Sequence, residues 1–499
     1  MRAGTAGLNL ADRFLAAASR SPQRDAVVVS GDDPVRLTYA GLRDRVERLA
    51  AVLRARGVRP GDRVGVLLAN GNEHLEVLLA SFLLRAVPVN LSYRDLRDEM
   101  RSVLVASEAT FLIHEPDIDA LLPSAIARGS AYETALAGAG PRPDVKGRSG
   151  DDHYLLYTGG STGRPKGVLW SHDDLFRGAL APAGDEVSAR RAVRCLPASP
   201  FTHGTGQWMA LTTLLHGGTI VCRRDRRLDP EALLDTVDAE RVSFLVVVGD
   251  AFARPLAELI DGCPGRWELS SLTTILSGGA VLSPSVKRDL LRLLPTVLVV
   301  DGFGASETGG HGHMVSVAGA VASGPPRFAV DDDTTVLDAD DDGIGWLARR
   351  GPIALGYDGD AAATDAAFRV IDGVRWAVPG DRARDEGDGT ITVLGRDATT
   401  INTGGHKVQA EEVEQALRSH PAVLDAVVIG MPDERFGERV TAVVAPRHDA
   451  RPTLDVLTRH LRQRLARHKL PRHLVLVDEV RRSVAGKPDY AWARRMAAG

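Results

Sequence analysis

Residues 157–167 read YTGGSTGRPKG and directly follow an apolar run. Glycines let backbone amides approach phosphate oxygens, Ser161 and Thr162 add hydroxyl donors, and Lys166 adds a positive charge. The segment is not a Walker loop, because the GxxxxGK[ST] pattern requires the lysine beside the last glycine and a hydroxyl residue after it. These residue types in this order predict a loop that cradles an anion.

Two later segments place glycine turns directly after apolar runs. They are SGGA at 277–280 and DGFGASETG at 301–309. In doubly wound α/β sheets, ligands bind at the carboxyl ends of the strands. Both segments are therefore candidates for a ligand-binding edge.

Lysine is rare in this chain, because six of the 61 basic residues are lysines and 55 are arginines. The six are Lys146, Lys166, Lys287, Lys407, Lys469 and Lys487. Lysine carries a compact ammonium group, which a planar guanidinium cannot replace. Three of the six lie in glycine-rich segments, at 166, 407 and 487, and this placement suggests a chemical role for them.

The elements that must position these segments alternate between helices and apolar strands. Residues 42–56 have apolar side chains at helical spacing and precede the apolar run VGVLLAN. Asp229 followed by Pro230 predicts the start of another helix before the run SFLVVVGD. Short, fully apolar strands separated by helices indicate parallel sheets covered on both faces. The predicted fold class is therefore α/β, with a large N-terminal domain of doubly wound sheets.

After Gly395 the pattern becomes compact. Predicted helices at 410–419 and 453–468 alternate with short apolar strands, and about 100 residues is an ordinary size for a small α+β domain. The turn-rich segment EGDGTITVLGRDA, residues 386–398, is the predicted boundary. Residues 1–395 are thus expected to form the large domain and residues 396–499 the small one.

Composition excludes several classes of protein. A chain of 499 residues is too long for one ordinary core, and 44% hydrophobic with 25% charged residues is a globular mixture. A formal charge of −4 gives no global attraction to nucleic acids or anionic membranes. No nucleic-acid partner is therefore predicted.

The cysteines and the apolar runs bear on location. Cys195, Cys222 and Cys263 lack CxxC spacing, which disfavours a zinc site or a disulfide framework and favours a reducing compartment. The N-terminal segment lacks a signal-peptide core, and nowhere do 18 uncharged apolar residues run together. A cytoplasmic protein without a membrane span is expected.

Further motifs point to a family. They are SPFTHGTGQW around His203, PGDRAR around Asp381, LGRDA around Arg396, INTGGHKV at 401–408 and RRSVAGKPDY around Lys487. Together with YTGGSTGRPKG and DGFGASETG, they resemble the motifs of the adenylate-forming acyl-CoA synthetases, a superfamily that also includes luciferases and the adenylation domains of peptide synthetases. The motifs follow the family's order over nearly the whole chain.

The resemblance implies a site for ATP, coenzyme A and Mg²⁺. Phe303 would offer an aromatic face to adenine, Ser306 a hydroxyl near the α-phosphate, and Glu307 the carboxylate that holds the metal. Asp381 and Arg396 look like the family's ribose pair. The implied cofactor-binding residues are Thr158, Ser161, Thr162, Gly163, Lys166, Gly279, Ala280, Asp301, Gly302, Phe303, Ser306, Asp381, Arg396, Gly404, Gly405 and Lys407.

The resemblance also implies two steps in one cleft. A carboxylic acid and ATP give an acyl-adenylate and pyrophosphate, and the CoA thiol then releases acyl-CoA and AMP. Thr162, Glu307 and Lys487 are the expected catalytic residues of the first step, since an ammonium group stabilises the negative charge that gathers at the α-phosphorus. His203 and the 404–407 loop would serve the second. Rotation of a mobile C-terminal domain, beside an ATP- and acyl-binding N-terminal domain, would connect the two steps.

The acid is predicted from weaker features. The segments INTGGHKV and HGTGQW look most like those of synthetases that act on long-chain or polycyclic acids. Small residues at Gly302, Gly304 and Gly309 suggest a roomy apolar pocket. A bulky hydrophobic acid is therefore the expected substrate.

Alternatives stay open because the chain departs from the family's pattern at its hinge. Ala398 stands where the family usually has Asp or Lys, which puts the balance of the two half-reactions in doubt. The protein could perform only one half-reaction, such as thioesterification of a supplied acyl-adenylate, or load its acid onto a carrier-protein thiol. It could also bind nucleotide as a regulatory protein without turnover. A homo-oligomer or a pathway partner enzyme is a further expectation.

Overall fold

A computed structural model describes residues 7–93, 95, 97–158, 166–181, 193–280, 282–322, 326–396, 400–403, 406–433, 437–447, 450–482, 486 and 488–498. It describes the backbone alone for Arg396, Thr400, Asn402, His406 and Lys407.

Several helices begin at a residue whose side chain caps them. The Asp229 side chain accepts a hydrogen bond of 3.0 Å from the Ala232 amide at the start of Pro230–Ala239, which confirms the predicted cap. The α-helices are Leu10–Arg20, Tyr39–Ala55, Asn72–Leu83, Arg97–Ala106, Ser130–Ala137, His172–Leu175, Gly204–Leu215, Pro230–Ala239, Gly249–Gly262, Pro284–Leu293, Ala361–Ala367, Ala410–Arg418, Leu454–Leu461 and Tyr490–Ala498, with a π-helix at Phe176–Leu180 and a 3₁₀-helix at Arg467–Lys469.

The strands, in chain order, are β1 (Asp25–Ser30), β2 (Val35–Thr38), β3 (Arg63–Leu67), β4 (Val87–Asn90), β5 (Ala109–His114), β6 (Ala125–Ala127), β7 (His153–Thr158), β8 (Lys166–Ser171), β9 (Arg194–Pro197), β10 (Thr219–Arg223), β11 (Phe244–Val247), β12 (Thr274–Gly278), β13 (Leu298–Ala305), β14 (Gly309–Ser316), β15 (Arg327–Val330), β16 (Thr334–Leu337), β17 (Ile344–Arg349), β18 (Gly356–Tyr357), β19 (Phe368–Ile371), β20 (Val374–Ala377), β21 (Asp381–Asp385), β22 (Thr390–Arg396), β23 (Thr400–Thr403), β24 (His406–Gln409), β25 (Val423–Asp433), β26 (Gly437–Pro446) and β27 (His473–Leu476).

Within the described residues these strands form three sheets. The first has the order β19-β20-β17-β21-β22-β15-β14-β13-β12-β11-β9-β10-β1-β2, with β16 beside β17, and the second has the order β18-β8-β7-β4-β3-β5-β6. Both contain parallel stretches, from β13 through β12 and β11 to β9 in the first sheet and from β7 through β4 and β3 to β5 in the second. The third sheet, β24-β23-β26-β25 with β27 beside β26, lies after residue 399.

Helices cover both faces of the first sheet. Val27 and Val29 of β1 belong to an apolar cluster that includes Leu42 and Leu49 of the helix Tyr39–Ala55. Val28, which points to the opposite face, belongs to a second cluster with side chains of three other helices, Pro230–Ala239, Gly249–Gly262 and Pro284–Leu293. The predicted α/β fold with parallel sheets covered on both faces is confirmed.

The second predicted helix of the small domain is shorter than expected. The sequence predicts a helix over 453–468, whereas the α-helix is Leu454–Leu461. Leu457 and Leu461 are buried, but residues 462–464 face solvent, so no apolar face extends the helix against the sheet. Among the residues that the structure describes, no helix is both long and apolar enough to cross a bilayer.

Candidate active site

The predicted ligand-binding edge, called here the β13 edge, comprises residues 277–280 and 301–309. Strands β12 and β13 are parallel, with Ser277 opposite Asp301 and Gly278 opposite Gly302. Gly279 follows with φ of +85°, a conformation that favours glycine. This register brings the two glycine turns side by side.

Aromatic neighbours hold the side chain of Phe303. The His311 ring is stacked with it at a centroid distance of 5.6 Å and an angle of 25°, and the Phe328 ring lies 5.5 Å away. Burial lowers the pKa of His311 to about 3, and the positive charge of Arg349 acts in the same direction. His311 is therefore a neutral ring at ordinary pH, and Phe303 is fixed by packing alone.

Asp301 forms a buried ion pair that the sequence analysis did not predict. Lys287 Nζ lies 2.5 Å from Asp301 Oδ2, and the two side chains are 3% and 8% exposed. Burial raises the pKa of Asp301 to about 6, and the positive charge of Lys287 opposes that rise. The pair ties the helix Pro284–Leu293 to the β13 edge. The available signal was the rarity of lysine in this chain.

Glu307 and Lys166 meet through Tyr357, a residue that sequence reasoning missed. Tyr357 Oη donates to Glu307 Oε1 at 2.7 Å, and Lys166 Nζ lies 4.8 Å from the centroid of the Tyr357 ring. Tyr357 reaches this position because β18 pairs with β8. The structure thus brings the anion-loop lysine and the predicted metal ligand together.

Glu307 is a suitable ligand for a hard cation. The side chain is buried, and a carboxylate has two oxygens, so the hydrogen bond from Tyr357 does not exhaust its capacity. Among the described residues, no group of three His, Cys, Asp or Glu side chains could hold a metal by itself. Magnesium is commonly bound by one or two carboxylates together with phosphate oxygens, so a single glutamate is compatible with such a site.

The backbone beside Glu307 is fixed from two sides. Trp170 Nε1 donates to the Ser306 carbonyl at 2.8 Å, and the Ala354 amide donates to the Glu307 carbonyl at 3.0 Å. Hydrogen bonds from two separate elements therefore hold this turn in place.

Two of the three glycines expected to make room for a substrate have another role. A Cβ atom at Gly304 would overlap the Gly309 carbonyl oxygen, and one at Gly309 would overlap the Gly178 carbonyl oxygen. At Gly302 the nearest such atom, the Ser277 carbonyl oxygen, is 3.8 Å away. Gly304 and Gly309 are therefore required by close backbone packing, and Gly302 alone matches the predicted space.

The predicted anion loop is a hairpin connection between β7 and β8. Thr158 at the end of β7 is opposite Lys166 at the start of β8, and the Thr158 hydroxyl donates to the Lys166 carbonyl at 3.5 Å. The register closes the loop at its base. The predicted residues Ser161, Thr162 and Gly163 lie outside the described residues.

The segment that carries His203 is anchored by two buried asparagines. Asn70 Oδ1 accepts from the Phe201 amide at 2.7 Å, and Asn90 Nδ2 donates to the Thr202 carbonyl at 2.5 Å. His203 itself is the N-cap residue of the helix Gly204–Leu215, with extended backbone angles. The structure places it directly after this anchored turn.

Asp381 and Arg396 are neighbours, as the ribose-pair prediction requires. They are opposite each other across β21 and β22, and the Asp381 side chain is buried. The Arg396 side chain and the hinge residue Ala398 lie outside the described part of the chain. A Cβ at Gly395 would overlap the Glu411 carboxylate, so the helix Ala410–Arg418 packs tightly on the end of β22.

The small sheet brings one predicted segment to the β13 edge. Gly404, Gly405 and Lys487 lie outside the described residues, and the backbone of Lys407 lies in β24. Gly486, one residue before Lys487, contacts the large domain. An ideal Cβ on it would be 3.0 Å from Val248 Cγ1 and 3.7 Å from Ala280 Cβ.

A cavity of about 270 Å³ opens beside this contact. Its lining combines residues next to the His203 segment with residues of the C-terminal segment, among them Asn70, Tyr93, Pro200, Phe252, Arg482 and Gly486. The cavity is large enough for part of a small molecule, and its lining residues Pro200 and Gly486 lie close in sequence to His203 and Lys487.

Two family models match the chain. The model for AMP-binding enzymes matches residues 14–357, and the model for the C-terminal domain of AMP-binding enzymes matches residues 412–487.

Relatives of similar length are CoA ligases. The chain is 40% identical to 3-oxocholest-4-en-26-oate–CoA ligase of Rhodococcus rhodochrous, with 98% of this chain and 95% of the relative covered. It is 41% identical to the medium-chain acyl-CoA ligase Mig of Mycobacterium avium, with 97% of each covered. Among solved structures, ATP-bound MatB of Rhodopseudomonas palustris is similar with a TM-score of 0.83, 25% identity and 98% coverage of both chains.

Proposed function

This chain belongs to the family of AMP-binding enzymes and is an ATP-dependent carboxylate–CoA ligase, and on that premise we propose that it activates a bulky hydrophobic acid, long-chain or polycyclic, through an acyl-adenylate. The relatives named above act on 3-oxocholest-4-en-26-oate and on medium-chain acyl groups. Small residues had predicted a roomy pocket for a bulky acid. Gly302 is the one of the three named glycines that has open space at its side-chain position. ATP and CoA are the other substrates.

The observation that supports this mechanism best is the connection from Lys166 through Tyr357 to Glu307. We propose that the 158–166 hairpin and Lys166 bind the phosphates of ATP, and that Phe303 packs on adenine. Glu307 would hold Mg²⁺, whose charge neutralises phosphate oxygens. Tyr357 orients the Glu307 carboxylate through the hydrogen bond of 2.7 Å.

Lys487 is proposed to complete the first step. Its ammonium group would stabilise the negative charge at the α-phosphorus as the substrate carboxylate attacks. The contact of Gly486 with Val248 and Ala280 supports this role, because it brings the residue before Lys487 to the β13 edge. Thr162 is proposed to add a hydroxyl donor to the same phosphate.

The second step is assigned to His203 and the 404–407 loop, which would guide the CoA thiol to the adenylate. We propose that the boundary near Gly395 separates an N-terminal domain, 1–395, from a C-terminal domain, 396–499, that rotates between the steps. Asp381 and Arg396, opposite each other across β21 and β22, would bind ribose at that boundary.

A cytoplasmic location is also proposed. Cys195, Cys222 and Cys263 are free thiols, which suits a reducing compartment. A homo-oligomer and a pathway partner enzyme stay predictions, which the mass of the purified protein in solution would begin to test.

The proposal is tested with purified protein, ATP, Mg²⁺, CoA and a panel of fatty, aryl and polycyclic acids. Parallel reactions replace ATP and acid by the synthetic acyl-adenylate. We expect AMP and acyl-CoA in both sets, with the highest kcat/KM for long-chain or polycyclic acids.

Other outcomes identify what is wrong. Thioester from the supplied adenylate alone would mean that the first half-reaction is lost. Adenylate formation without acyl-CoA would favour a carrier-protein thiol as the acceptor. Preference for short or aryl acids would contradict the proposed substrate class.

A further inference from the structure

The segment that leads into and out of Lys487 is held at both ends. Arg482 and Pro488 form an isolated antiparallel bridge, and the Asp489 amide donates to the Arg481 carbonyl at 3.0 Å. The Asp489 side chain then accepts from the Trp492 amide at 2.8 Å, at the start of the helix Tyr490–Ala498. The ends of the 482–488 segment are therefore joined to each other and to a helix.

The guanidinium of Arg482 contacts two separate groups. Its Nε and Nη2 donate to the two carboxylate oxygens of Asp425 at 2.7 Å each, and its Nη1 donates to the Gly486 carbonyl at 2.9 Å. Both charged side chains are mostly buried, at 15% and 24% exposure. A bidentate pair fixes the plane of the guanidinium, and with it the direction of the third hydrogen bond.

Asp425 is held by more than this one partner. It lies on β25, and Arg418 Nη1 is 3.7 Å from its Oδ1. Burial alone would raise the pKa of Asp425, but the hydrogen bonds and charge of Arg482, with the charge of Arg418, leave this pKa below its ordinary value. Asp425 is thus a fixed anionic anchor inside the small domain.

The Gly486 carbonyl belongs to the peptide bond that leads into Lys487. A peptide bond is planar, so holding its oxygen restricts the orientation of the whole unit. Gly486 also lies close to the large domain, since a Cβ on it would be 3.0 Å from Val248 Cγ1 and 3.7 Å from Ala280 Cβ. Arg482 therefore acts on the peptide that precedes the proposed catalytic lysine, close to Ala280 of the β13 edge.

We propose that Arg482, oriented by Asp425, is a positioning residue for adenylation that presents Lys487 to the large domain through the Gly486 carbonyl. The inference rests on the proposed role of Lys487. It assigns Arg482 to the first half-reaction, because thioester formation requires the small domain in another orientation.

The test compares Arg482→Gln and Arg482→Lys with the original chain in the two half-reactions. ATP–pyrophosphate exchange measures adenylation, and synthetic acyl-adenylate with CoA measures thioester formation. We expect adenylation to slow by about tenfold to a hundredfold in both variants, since small misplacements of a catalytic group have effects of that size. Thioester formation should stay within about twofold. Lysine should not restore adenylation, because one ammonium cannot bind Asp425 in two places and also reach Gly486.

A matched control and a double variant test whether Arg482 acts through Lys487. Arg495→Gln changes an exposed arginine of the neighbouring helix and should leave both half-reactions unchanged. In a Lys487→Ala background, Arg482→Gln should cause little further loss of adenylation, because the two residues act as one unit.

The outcomes separate this inference from the role of Lys487. Equal losses in both half-reactions, or recovery of adenylation by lysine at position 482, would overturn it and make Arg482 a structural residue. If Lys487→Ala impairs adenylation and Arg482→Gln does not, the inference fails alone. If Lys487→Ala leaves adenylation intact, the proposed role of Lys487 fails and the inference falls with it.

Discussion

The β13 edge and the 481–490 segment hold their charged groups in different ways. At the β13 edge, Lys287 and Asp301 pair across the interior of the large domain at 3% and 8% exposure. In the 481–490 segment, Arg482 pairs with Asp425 inside the small domain, with more of each side chain exposed. Each region is therefore anchored by an ion pair within its own domain, and the two pairs differ in how deeply they are buried.

Two approaches between the small and the large domain lack such a buried ion pair. Gly486 lies close to Val248 and Ala280, where a Cβ on it would be 3.0 and 3.7 Å from their side chains, and Arg447 lies 3.5 Å from Glu258 with both side chains substantially exposed. Exposed ion pairs contribute little free energy. Contacts of this kind can open without exposing a buried charge, which the proposed rotation between half-reactions requires.

The largest expected effect is on the free energy of unfolding, at the buried pair of Lys287 and Asp301. Lys287→Met would leave the Asp301 carboxylate buried without its partner, and we expect the free energy of unfolding to fall by about 3–5 kcal/mol. Denaturant unfolding of the purified variant measures this fall. Adding Asp301→Asn should recover much of it, because the buried charge is removed.

Lys469 provides the matched control for this pair. Its ammonium lies 2.6 Å from Glu412, but the two side chains are 25% and 30% exposed. Lys469→Met should therefore lower the free energy of unfolding by about 1 kcal/mol or less. Equal losses in the two variants would contradict the distinction drawn from burial.

The next largest effect is expected on the rate of adenylation, at Tyr357. Tyr357→Phe removes the donor to Glu307, and a hydrogen bond to a charged group is worth about 1.5–3 kcal/mol. We expect adenylation to slow by about tenfold to a hundredfold, whereas thioester formation from supplied adenylate should change little.

Tyr132 separates this role from packing. Its hydroxyl donates to the buried Glu76 at 2.6 Å, which is a similar tyrosine–glutamate pair away from the site. Tyr132→Phe should lower stability without a selective loss of adenylation. If both variants slow the two half-reactions equally, Tyr357 is a structural residue.

Acid should destabilise the large domain through its buried histidines. Burial lowers the pKa of His311 to about 3 and that of His74 and His172 to about 4. Below pH 6.5 the unfolded chain binds protons that the folded chain does not, so stability is lost as pH falls from 6.5 toward these values. As pH falls through that range, each histidine lowers the free energy of unfolding by up to about 1.4 kcal/mol per pH unit.

His311→Phe keeps an aromatic ring beside Phe303 and removes one titrating group. The pH dependence of unfolding between pH 6.5 and 5 should therefore become less steep. His313→Gln, at an exposed position on the same strand, is the matched control for the substitution. An unchanged slope for His311→Phe would show that this residue does not carry the expected proton linkage.

Local patterns were enough to predict the architecture. Alternating helices and apolar strands, and the cap at Asp229, predicted the parallel sheets, and the family resemblance and CoA-ligase activity are confirmed by the comparisons. The roles of Lys487, Thr162 and His203 stay predictions. The helices, the strands and the family motifs could be predicted because each depends on residues close together in the sequence.

Contacts between distant residues could not be predicted in the same way. Tyr357 is 50 positions from Glu307, and Arg482 is 57 positions from Asp425. The pairing of β18 with β8 places Tyr357 beside Glu307, and Arg482 meets Asp425 of β25 through their ion pair. Gly304 illustrates the same limit, because a glycine that makes space and one that permits close backbone packing look identical in a sequence.

The smallest expected effect tests the weak junction between the domains. Glu258→Gln removes the ion pair with Arg447, and we expect adenylation to slow by less than about threefold, with little change in thermal midpoint. Raising the salt concentration should reduce the difference from the original chain, since exposed charges are screened. Asp261→Asn is the control, because Asp261 lies on the same helix and pairs at 3.0 Å with Arg292 of the large domain. A large loss in Glu258→Gln, absent from Asp261→Asn, would mean that the junction is strong, and the small domain could then not leave the β13 edge as freely as two half-reactions in one cleft require.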